Sequence, residues 1–479
     1  MKKILFLLLI VGFAVSCSKD FVDLNTDKKR PSAVPPGPLF AYATNTLVDN
    51  MTSSNVNLNI FRLLSQYWTE TTYFDESQYD LATRNIPANF WNAMYRDVLK
   101  NLDEAKVLIP AQGPAVVDAV QKNQIACVEI LNVYSYMTLV NLFGNIPYSE
   151  ALDYRNVYPK YDDAAGIYND LATRLDAALA SINTAEGGFG SSDLLYGGDM
   201  AGWKTFGNSL KLKMGMMLAD VDAGKAKTMV EAAAGAGVIS SNDENVVFHY
   251  LPAPPNTNPI WVDLVQSGRK DFVAANTIVD FMNGLNDPRI PLYFTEDANG
   301  AYAGGIYGTS NNYATYSKPA EAITEPDFEA LLMDYAEVEF LLAEAVARNM
   351  NVGGTAAGHY ENAIRGSIEY WGGSSADADT YLAQASVAYA TAAGDFKQKI
   401  GHQKWIALYN RGFDGWTEWR RFDYPILNVP PDAGLTYDDI PKRFPYSVDE
   451  QTLNTDNYNS AASAIGGDNV KTKLFWDKF

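Results

Sequence analysis

In the first half of the chain, apolar residues recur mostly every three or four positions, the spacing that places them on one face of a helix. The clearest stripe lies in residues 90–109. Residues 117–143 are apolar on nearly every face, which predicts a helix buried on all sides. Two further helices are predicted before residue 220: residues 162–182, with the pair Asp162-Asp163 as cap, and residues 203–219.

The pattern changes between about Val238 and Glu325. Four prolines interrupt helix formation there: Pro252, Pro254, Pro255 and Pro259. One helix is predicted to return over residues 272–284. Residues 298–319 are rich in Gly, Asn, Ser and Tyr and show no sustained periodicity. A loop of that length inside a compact protein is usually functional or disordered, so residues 298–319 are a candidate functional segment.

Helical spacing resumes after this portion and continues to about residue 409. The predicted helices are residues 327–348, 360–371, 376–391 and 396–409. From Phe422 the chain is rich in Pro and Asn, and we expect it to be extended to its end.

Small residues stand where paired helices would cross: Ala343, Ala345, Ala347 and Ala363. They indicate tetratricopeptide-like hairpins, although no clean 34-residue repeat is present. The predicted fold is all-α, a helical-hairpin scaffold with a loop-rich insertion and minor strand content. We expect one domain over residues 39–479, with its ligand-binding portion at about 238–325.

The N-terminus has the features of an export signal. Two lysines precede an apolar run, Ile4 to Val15, that is too short for a permanent membrane span. Small residues then lead to Cys17, as at a bacterial lipoprotein processing site. We therefore expect residues 1–16 to be a signal peptide and Cys17 to carry lipid, which anchors the protein at a membrane surface. A simple cleaved signal with an incidental cysteine is the alternative. Residues 17–38, which are Pro-rich, read as an extended arm.

Composition excludes some partners. The chain has 479 residues, a formal net charge of −20 and 13% aromatic residues, including 29 Tyr and nine Trp. An acidic chain lacks the basic footprint that nucleic acid requires, so we expect no nucleic-acid partner. Amphipathic rings in such number suit both helical cores and the stacking of sugars or peptides. Cys127 is the only thiol left after lipidation, and its apolar surroundings predict a buried side chain.

The sequence offers no catalytic constellation. The histidines, His249, His359 and His402, are isolated, so no metal site and no cofactor are predicted. Asp414 and Glu418 would share a helix face, but Glu418 could equally form a structural ion pair with the nearby Arg421. A surface glycan-degrading enzyme with carboxylates from distant segments stays open as an alternative.

Two regions concentrate aromatic residues outside the helical stripes. The candidate ligand-binding residues are Trp68, Tyr73 and Tyr79 in the first region, and Tyr302, Tyr307, Tyr313 and Tyr316 in the 298–319 loop. Rings beside amides and carboxylates offer stacking area together with directional hydrogen bonds. The alternative is that Trp68 completes a core helix and that the loop tyrosines only pin the loop. Trp261 is a weaker candidate, and Trp405, Trp416 and Trp419 read as fold residues.

Several segments, in order, resemble signatures of the SusD/RagB family of nutrient-binding outer-membrane lipoproteins, in particular its SusD-like branch. They are Leu-Phe-Gly-Asn-Ile-Pro-Tyr at 142–148, Trp-Lys-Thr-Phe-Gly-Asn-Ser at 203–209, Asp-Pro-Arg at 287–289, residues 336–345, Gln-Lys-Trp at 403–405, Trp-Thr-Glu-Trp-Arg-Arg at 416–421, Arg-Phe-Pro-Tyr at 443–446 and Phe-Trp-Asp at 475–477. Two positions depart from the family pattern: Phe475, where a second Trp is expected, and Asp414, where Glu is common. Residues Ser18-Lys19-Asp20 also resemble a surface-export signal of bacterial lipoproteins.

The resemblance implies a tetratricopeptide-containing helical fold and a protein that is not an enzyme. It implies capture of an oligomeric nutrient, a glycan or a peptide, and transfer to a SusC-like TonB-dependent transporter in the outer membrane. It favours both aromatic regions as binding surface without fixing individual residues. A purely structural surface component is the remaining alternative.

Overall fold

The computed structural model describes residues 34–431 and 433–479. The predicted signal peptide, Cys17 and most of the predicted arm lie outside the described residues. The first helix begins at Pro36, so the last three residues of the predicted arm belong to the helical body. Proline suits this position because the first turn of a helix needs no backbone N–H donor.

The protein is mostly helical, as predicted. The helices are α1 (Pro36–Thr52), α2 (Phe61–Leu64), α3 (residues 86–108, composed of Ile86–Asn92, the π-helical Ala93–Leu99 and Lys100–Leu108), α4 (Asp118–Phe143), α5 (Ala164–Ser181), α6 (Met200–Met217), α7 (Ala223–Ala236), α8 (residues 259–266), α9 (Asn276–Gly284), α10 (Ile290–Tyr293), α11 (Tyr335–Ala347), α12 (Ala356–Tyr370), α13 (Ser375–Leu382), α14 (Phe396–Ala407), α15 (Gly412–Phe422), α16 (Val448–Leu453) and α17 (Thr455–Ala464).

Short strands form three separate antiparallel pairs. The strands are β1 (Trp68–Glu70), β2 (Ile146–Pro147), β3 (Tyr161–Asp162), β4 (Val246–Phe248), β5 (Phe272–Ala274) and β6 (Ala330–Met333). The pairs are β1 with β5, β2 with β3, and β4 with β6. In the first pair Trp68 stands opposite Ala274 and Glu70 opposite Phe272. This pair joins the first aromatic region to the loop-rich portion predicted at about residues 238–325.

Consecutive helices pack as hairpins: α4 with α5, α6 with α7, α11 with α12, and α14 with α15. Ala343 of α11 and Ala363 of α12 are fully buried in one apolar cluster, so the small residues do mark a helix crossing. The tetratricopeptide-like scaffold predicted from the sequence is confirmed.

Helix α4 forms the centre of the core. It is long and apolar enough to span a membrane, but 94% of its most apolar window is buried inside the described body. Cys127 lies on this helix, is buried, and its Sγ is 3.8 Å from the Sδ of Met200 on α6. Both predictions for this segment, a buried helix and a buried thiol, are confirmed.

Side-chain caps set the starts of helices, among them the start at Asp163 that the sequence indicated. The Asp163 carboxylate accepts from the backbone N–H of Gly166, and Asp334 accepts in the same way from Glu337 at the start of α11. These bonds satisfy N–H groups that have no partner within the helix.

Four predictions of secondary structure are wrong. Residues 272–274 and 330–333 are strands rather than the first turns of helices, because they pair with β1 and β4. The helix predicted over 376–391 ends at Leu382. The segment after Phe422 contains α16 and α17, short helices that the sequence did not indicate.

Candidate functional site

Trp68 is a core residue. Its side chain is 1% exposed, and its indole N–H donates to the hydroxyl of Tyr409 at 3.0 Å. The Arg62 guanidinium lies 5.0 Å from the ring centroid. Trp68 therefore offers no ring face to a ligand, and its assignment as a ligand-binding residue is wrong. All three residues of β1 are buried, so the strand itself lies within the body of the protein.

Tyr307 and Tyr79 fix the 298–319 loop to the body. Tyr307 is 1% exposed, and its hydroxyl donates to the backbone carbonyl of Leu63 at 2.8 Å. The buried Tyr79 ring lies with its centroid 6.4 Å from that of Tyr307. These two tyrosines support the loop from beneath, so a direct contact with ligand is excluded for them as well.

The loop also bonds to the backbone that follows β1. The carbonyl of Thr71 accepts from the hydroxyl of Ser310 at 2.9 Å and from the N–H of Asn311 at 3.1 Å. The amide group of Asn311 donates to the carbonyl of Glu70 at 2.9 Å. The loop therefore extends the β1–β5 pair at the protein surface, although it contains no strand of its own among the described elements.

Glycine is required where the loop passes β5 and the start of α9. A Cβ on Gly304 would lie 2.4 Å from the backbone N of Asn276 and 2.5 Å from the carbonyl C of Ala275. At this point the N–H of Asn276 donates to the carbonyl of Gly305 at 2.8 Å. The Gly-rich composition thus permits a close backbone contact that holds the loop in place.

Tyr73 is the most exposed ring among the candidates. Its side chain is 71% exposed, and its backbone has φ of 54°, in the left-handed region. That conformation is uncommon for a bulky residue and is found where surrounding structure imposes it. The fold therefore holds an aromatic ring out into solvent just after β1.

Tyr313 lies between two cations at the tip of the loop. The Nζ atoms of Lys270 and Lys318 lie 5.5 and 5.3 Å from its ring centroid. Lys270 is also tied to the β1 end, since the hydroxyl of Thr71 donates to its carbonyl at 2.6 Å. We call Tyr73, Lys270, Tyr313 and Lys318 the loop surface.

A polar cleft of about 140 Å³ adjoins the loop surface. Its lining includes Asn55, Asn57, Arg84, Asp263, Arg269 and Asp271. The carbonyl of Asp271 accepts from the N–H of Thr71 at 2.8 Å, and its carboxylate pairs with Arg269 at 2.5 Å. Rings beside amides, carboxylates and guanidinium groups form a surface suited to hydroxyl- and amide-bearing ligands.

Two carboxyl groups lie beneath this surface. Glu70 is buried and accepts from the N–H and the hydroxyl of Ser77 at 2.9 and 2.8 Å. Burial, with the neighbouring Glu76, raises the pKa of Glu70 to about 9. Glu76 pairs with Arg84, a residue of the polar cleft. A carboxyl with so high a pKa is uncharged at neutral pH. Glu70 therefore places no negative charge beneath the loop surface.

Tyr302 and Tyr316, at the two sides of the loop, are half-buried. They precede Ala303 and Ser317, whose backbones bond at 2.8 Å where the loop folds back on itself. The carbonyl of Tyr302 accepts from the side chain of Asn283 at 2.9 Å. Their rings are accessible in part, and they stay candidate ligand contacts.

The residues that sequence reasoning considered for chemistry have structural partners. Glu418 pairs with Arg421 at 2.8 Å and with Lys404 at 2.8 Å, and Asp414 pairs with Lys213 at 2.5 Å, all of them buried. Burial between aromatic rings lowers the pKa of His402 to about 4. No group of three or more metal-ligating side chains occurs within residues 34–431 and 433–479.

Sequence reasoning missed the charged residues of the site. Arg269, Lys270 and Asp271 form a charged run directly before β5. That run was the available signal, but its relevance depends on the pairing of β5 with β1.

The chain matches a family profile and solved structures over nearly its whole length. Residues 28–447 match the SusD-like family described as starch-binding proteins associating with the outer membrane. No curated protein matches. A solved chitin-binding protein is 26% identical, with a TM-score of 0.81, over 93% of this chain and 100% of its own.

Two further solved structures have the same fold. A chitin-binding SusD homologue from Flavobacterium johnsoniae is 26% identical, with a TM-score of 0.75, over 92% of this chain and 97% of its own. A SusD homologue from Bacteroides thetaiotaomicron is 25% identical, with a TM-score of 0.78, over 93% of this chain and 100% of its own. The chain belongs to the SusD-like family of outer-membrane-associated binding proteins, which are not enzymes.

Proposed function

We propose that this protein is a surface lipoprotein that captures an oligosaccharide and passes it to a SusC-like TonB-dependent transporter. The observation that carries the ligand-binding part is the loop surface, where the fold holds Tyr73 exposed and places Tyr313 between two lysines. An exposed ring costs little conformational entropy when it stacks on a sugar, because it has only two side-chain torsions.

A glycan is favoured over a peptide as the ligand. Two of the similar solved structures are named as chitin-binding, and the family description names starch. The lysines beside Tyr313 can donate to hydroxyl or acetamido oxygens. We therefore take N-acetylglucosamine oligomers as the first ligands to test.

The anchor and the partner follow from the N-terminal sequence and the family. Cys17 follows a short apolar run and small residues, which supports lipidation at that thiol. The family description places its members at the outer membrane, where a tethered binding protein can deliver ligand to a transporter. Ser18-Lys19-Asp20 supports exposure at the cell surface.

Calorimetry on the purified protein with chitohexaose, maltoheptaose and oligopeptides tests the ligand class. We expect oligosaccharide binding at micromolar affinity or weaker, about −6 to −8 kcal/mol, because a shallow surface buries little area. Binding of peptides alone would contradict the proposal. Sustained hydrolysis of the sugar, abolished by one Asp or Glu substitution, would contradict it too.

The location is tested by the variants Tyr73→Ala and Tyr313→Ala. Each should cost about 1–3 kcal/mol of binding, as for other stacking contacts, without a change in melting temperature. Tyr154→Ala is the matched control, since Tyr154 is 86% exposed and lies outside the loop surface. Equal losses in all three variants would mean that the binding site lies elsewhere.

The tether is tested in cells by fractionation. Cys17→Ser should leave the protein unlipidated and release it from membranes, whereas disruption of Lys19-Asp20 should keep it membrane-bound but shielded from protease added to whole cells. The test uses cells without the transporter, so that the partner cannot hold the protein. Membrane retention of the Cys17→Ser variant would show that lipid is not the tether.

A further inference from the structure

A second aromatic cleft lies at the other end of the loop region. It has a volume of about 530 Å³, within the range of small-ligand sites, and is open to solvent. Its lining includes Leu292 of α10, Ala322 after the loop, Asp327 and Phe328 before β6, and Trp371 at the end of α12. None of these residues belongs to the loop surface.

The floor of the cleft is a pair of stacked rings. Phe328 and Trp371 have their centroids 6.0 Å apart and planes inclined by 28°. The rings of Tyr293 and Tyr409 pack against Trp371, with centroids at 4.8 and 5.8 Å. Trp371 is therefore held rigidly while part of it stays exposed. A platform of this kind is ordered before a ligand arrives, so stacking on it costs little entropy.

The indole N–H of Trp371 is free to bond a ligand. Several buried tryptophans donate within the protein, for example Trp203 to Asp193 at 2.7 Å and Trp405 to the Ser65 carbonyl at 3.0 Å. The backbone N–H of Trp371 donates to the carbonyl of Ser367 at 3.3 Å, whereas its indole N–H has no acceptor among the described residues.

Carboxylates form the polar rim. Asp327 is exposed and has no hydrogen-bond or ion-pair partner within the described part of the chain. Glu329 accepts from the hydroxyl of Tyr370 at 3.0 Å, and its other oxygen lies 3.7 Å from the Nδ1 of His249. The described lining contains no Lys or Arg, so anionic ligands are disfavoured. Sugar hydroxyl groups can donate to these carboxylates while the apolar face of the ring stacks on the platform.

We propose that this cleft, the Trp371 cleft, is a second carbohydrate site that binds one or two neutral pyranose units. Trp371 and Phe328 provide the stacking platform, and Asp327 and Glu329 accept from hydroxyl groups. The choice of a carbohydrate as ligand rests on the proposed function. The Trp371 cleft itself is separate from the loop surface.

The cleft is tested by calorimetry with chitohexaose on the full chain. The protein carries both Tyr73→Ala and Tyr313→Ala, so that the loop surface is removed. Residual binding should remain in that background. Asp327→Ala should weaken it about tenfold, and Ala322→Arg, which fills the cleft from an exposed position, should abolish it. Trp371→Phe should weaken it by a smaller factor while it keeps the packing on Tyr293. Asp456→Ala, at an exposed position on α17, is the matched control.

The outcomes separate this inference from the proposed function. Loss of all binding in the Tyr73→Ala, Tyr313→Ala background, with no effect of Ala322→Arg in the wild type, would overturn the Trp371 cleft and leave the proposed function standing. Loss on Ala322→Arg with no effect of the tyrosine variants would support the cleft and overturn the loop surface. Absence of any sugar binding to the wild type would overturn both. Melting temperatures of the variants at the exposed positions Tyr73, Ala322, Asp327 and Asp456 should match that of the wild type.

Discussion

At the residue scale, burial decides which of the candidate side chains are open to solvent. Trp68, Tyr73 and Tyr79 lie within twelve positions of each other, and their sequence contexts are similar. Only Tyr73 is exposed, because Trp68 is directed inward from β1 and Tyr79 packs beneath the loop. Local sequence could nominate the region, but the direction of each ring depends on strand pairing.

Glu70 gives a prediction for pH dependence. Its pKa is raised to about 9 in the folded state from an ordinary value of 4.5, so between these values the folded protein holds a proton that the unfolded chain releases. The free energy of unfolding should therefore fall as pH rises through this window. Glu70→Gln mimics the protonated group and should be more stable than the wild type by about 2–4 kcal/mol at pH 8, and equal to it near pH 4.

Urea denaturation at pH 4, 6 and 8 measures this difference. Glu361→Gln, at an exposed position on α12, is the control and should show no pH-dependent gain. If Glu70→Gln is destabilised equally at every pH, Glu70 is ionised in the folded protein.

Trp405 gives a second prediction at this scale. It is fully buried, and its indole donates to the Ser65 carbonyl at 3.0 Å. Trp405→Ala should cost about 3–5 kcal/mol of stability, as for other buried aromatic truncations. Thermal and urea denaturation of this variant, beside Tyr313→Ala, should show early unfolding only for Trp405→Ala. Unchanged melting would contradict its assignment as a fold residue.

At the element scale, the loop and the β1–β5 pair act as one unit. Residues 272–284 read as one helix in sequence because Phe272, Val273 and Ala274 are apolar and continue the spacing of α9. Pairing with β1 turns these three residues into a strand, and the loop then bonds to both strands. Contacts between residues about 200 positions apart do not alter the spacing of apolar residues, so the sequence pattern does not reveal them.

Gly304→Ala tests this unit. The added Cβ would meet the backbone of Ala275 and Asn276 at about 2.5 Å, so the loop must move away from β5. We expect sugar binding at the loop surface to weaken about tenfold or more, because Tyr313 loses its fixed position. Melting temperature should fall less than in Trp405→Ala, because Tyr307 still fixes the loop to the body through its bond to Leu63.

Gly300→Ala is not a suitable control, since Gly300 has φ of 77°. Ala314→Ser, at an exposed position of the same loop, serves instead and should bind as the wild type does. Normal binding by Gly304→Ala would mean that the position of the loop does not matter for the ligand.

At the scale of the whole molecule, buried ion pairs join helices that are distant in sequence. Lys213 of α6 pairs with Glu337 of α11 at 2.7 Å and with Asp414 of α15 at 2.5 Å. Arg421 of α15 pairs with Glu344 of α11 at 2.8 Å. These contacts fix how the hairpins pack on each other, and they account for the charged residues in otherwise apolar helices.

Arg421→Met should cost about 3–5 kcal/mol of stability, because it leaves the buried carboxylates of Glu344 and Glu418 with fewer partners. Arg365→Met is the matched control: Arg365 pairs with Asp379 at 2.6 Å on the surface, where such a pair contributes about 0–1 kcal/mol. Denaturant unfolding of both variants measures the difference. Equal effects would mean that the buried network contributes no more than a surface pair.

The sequence by itself determined the all-α scaffold, the buried central helix and the approximate position of the 298–319 loop. Helical spacing and caps are local properties, and they are read from residues a few positions apart. The tertiary structure alone decided that residues 272–274 form a strand and that Tyr307 is buried while Tyr73 is exposed. It alone brought Trp371 and Phe328 together in a second cleft. The physical reason is that these outcomes depend on contacts between distant segments, whose free energy is set by packing and burial rather than by local sequence.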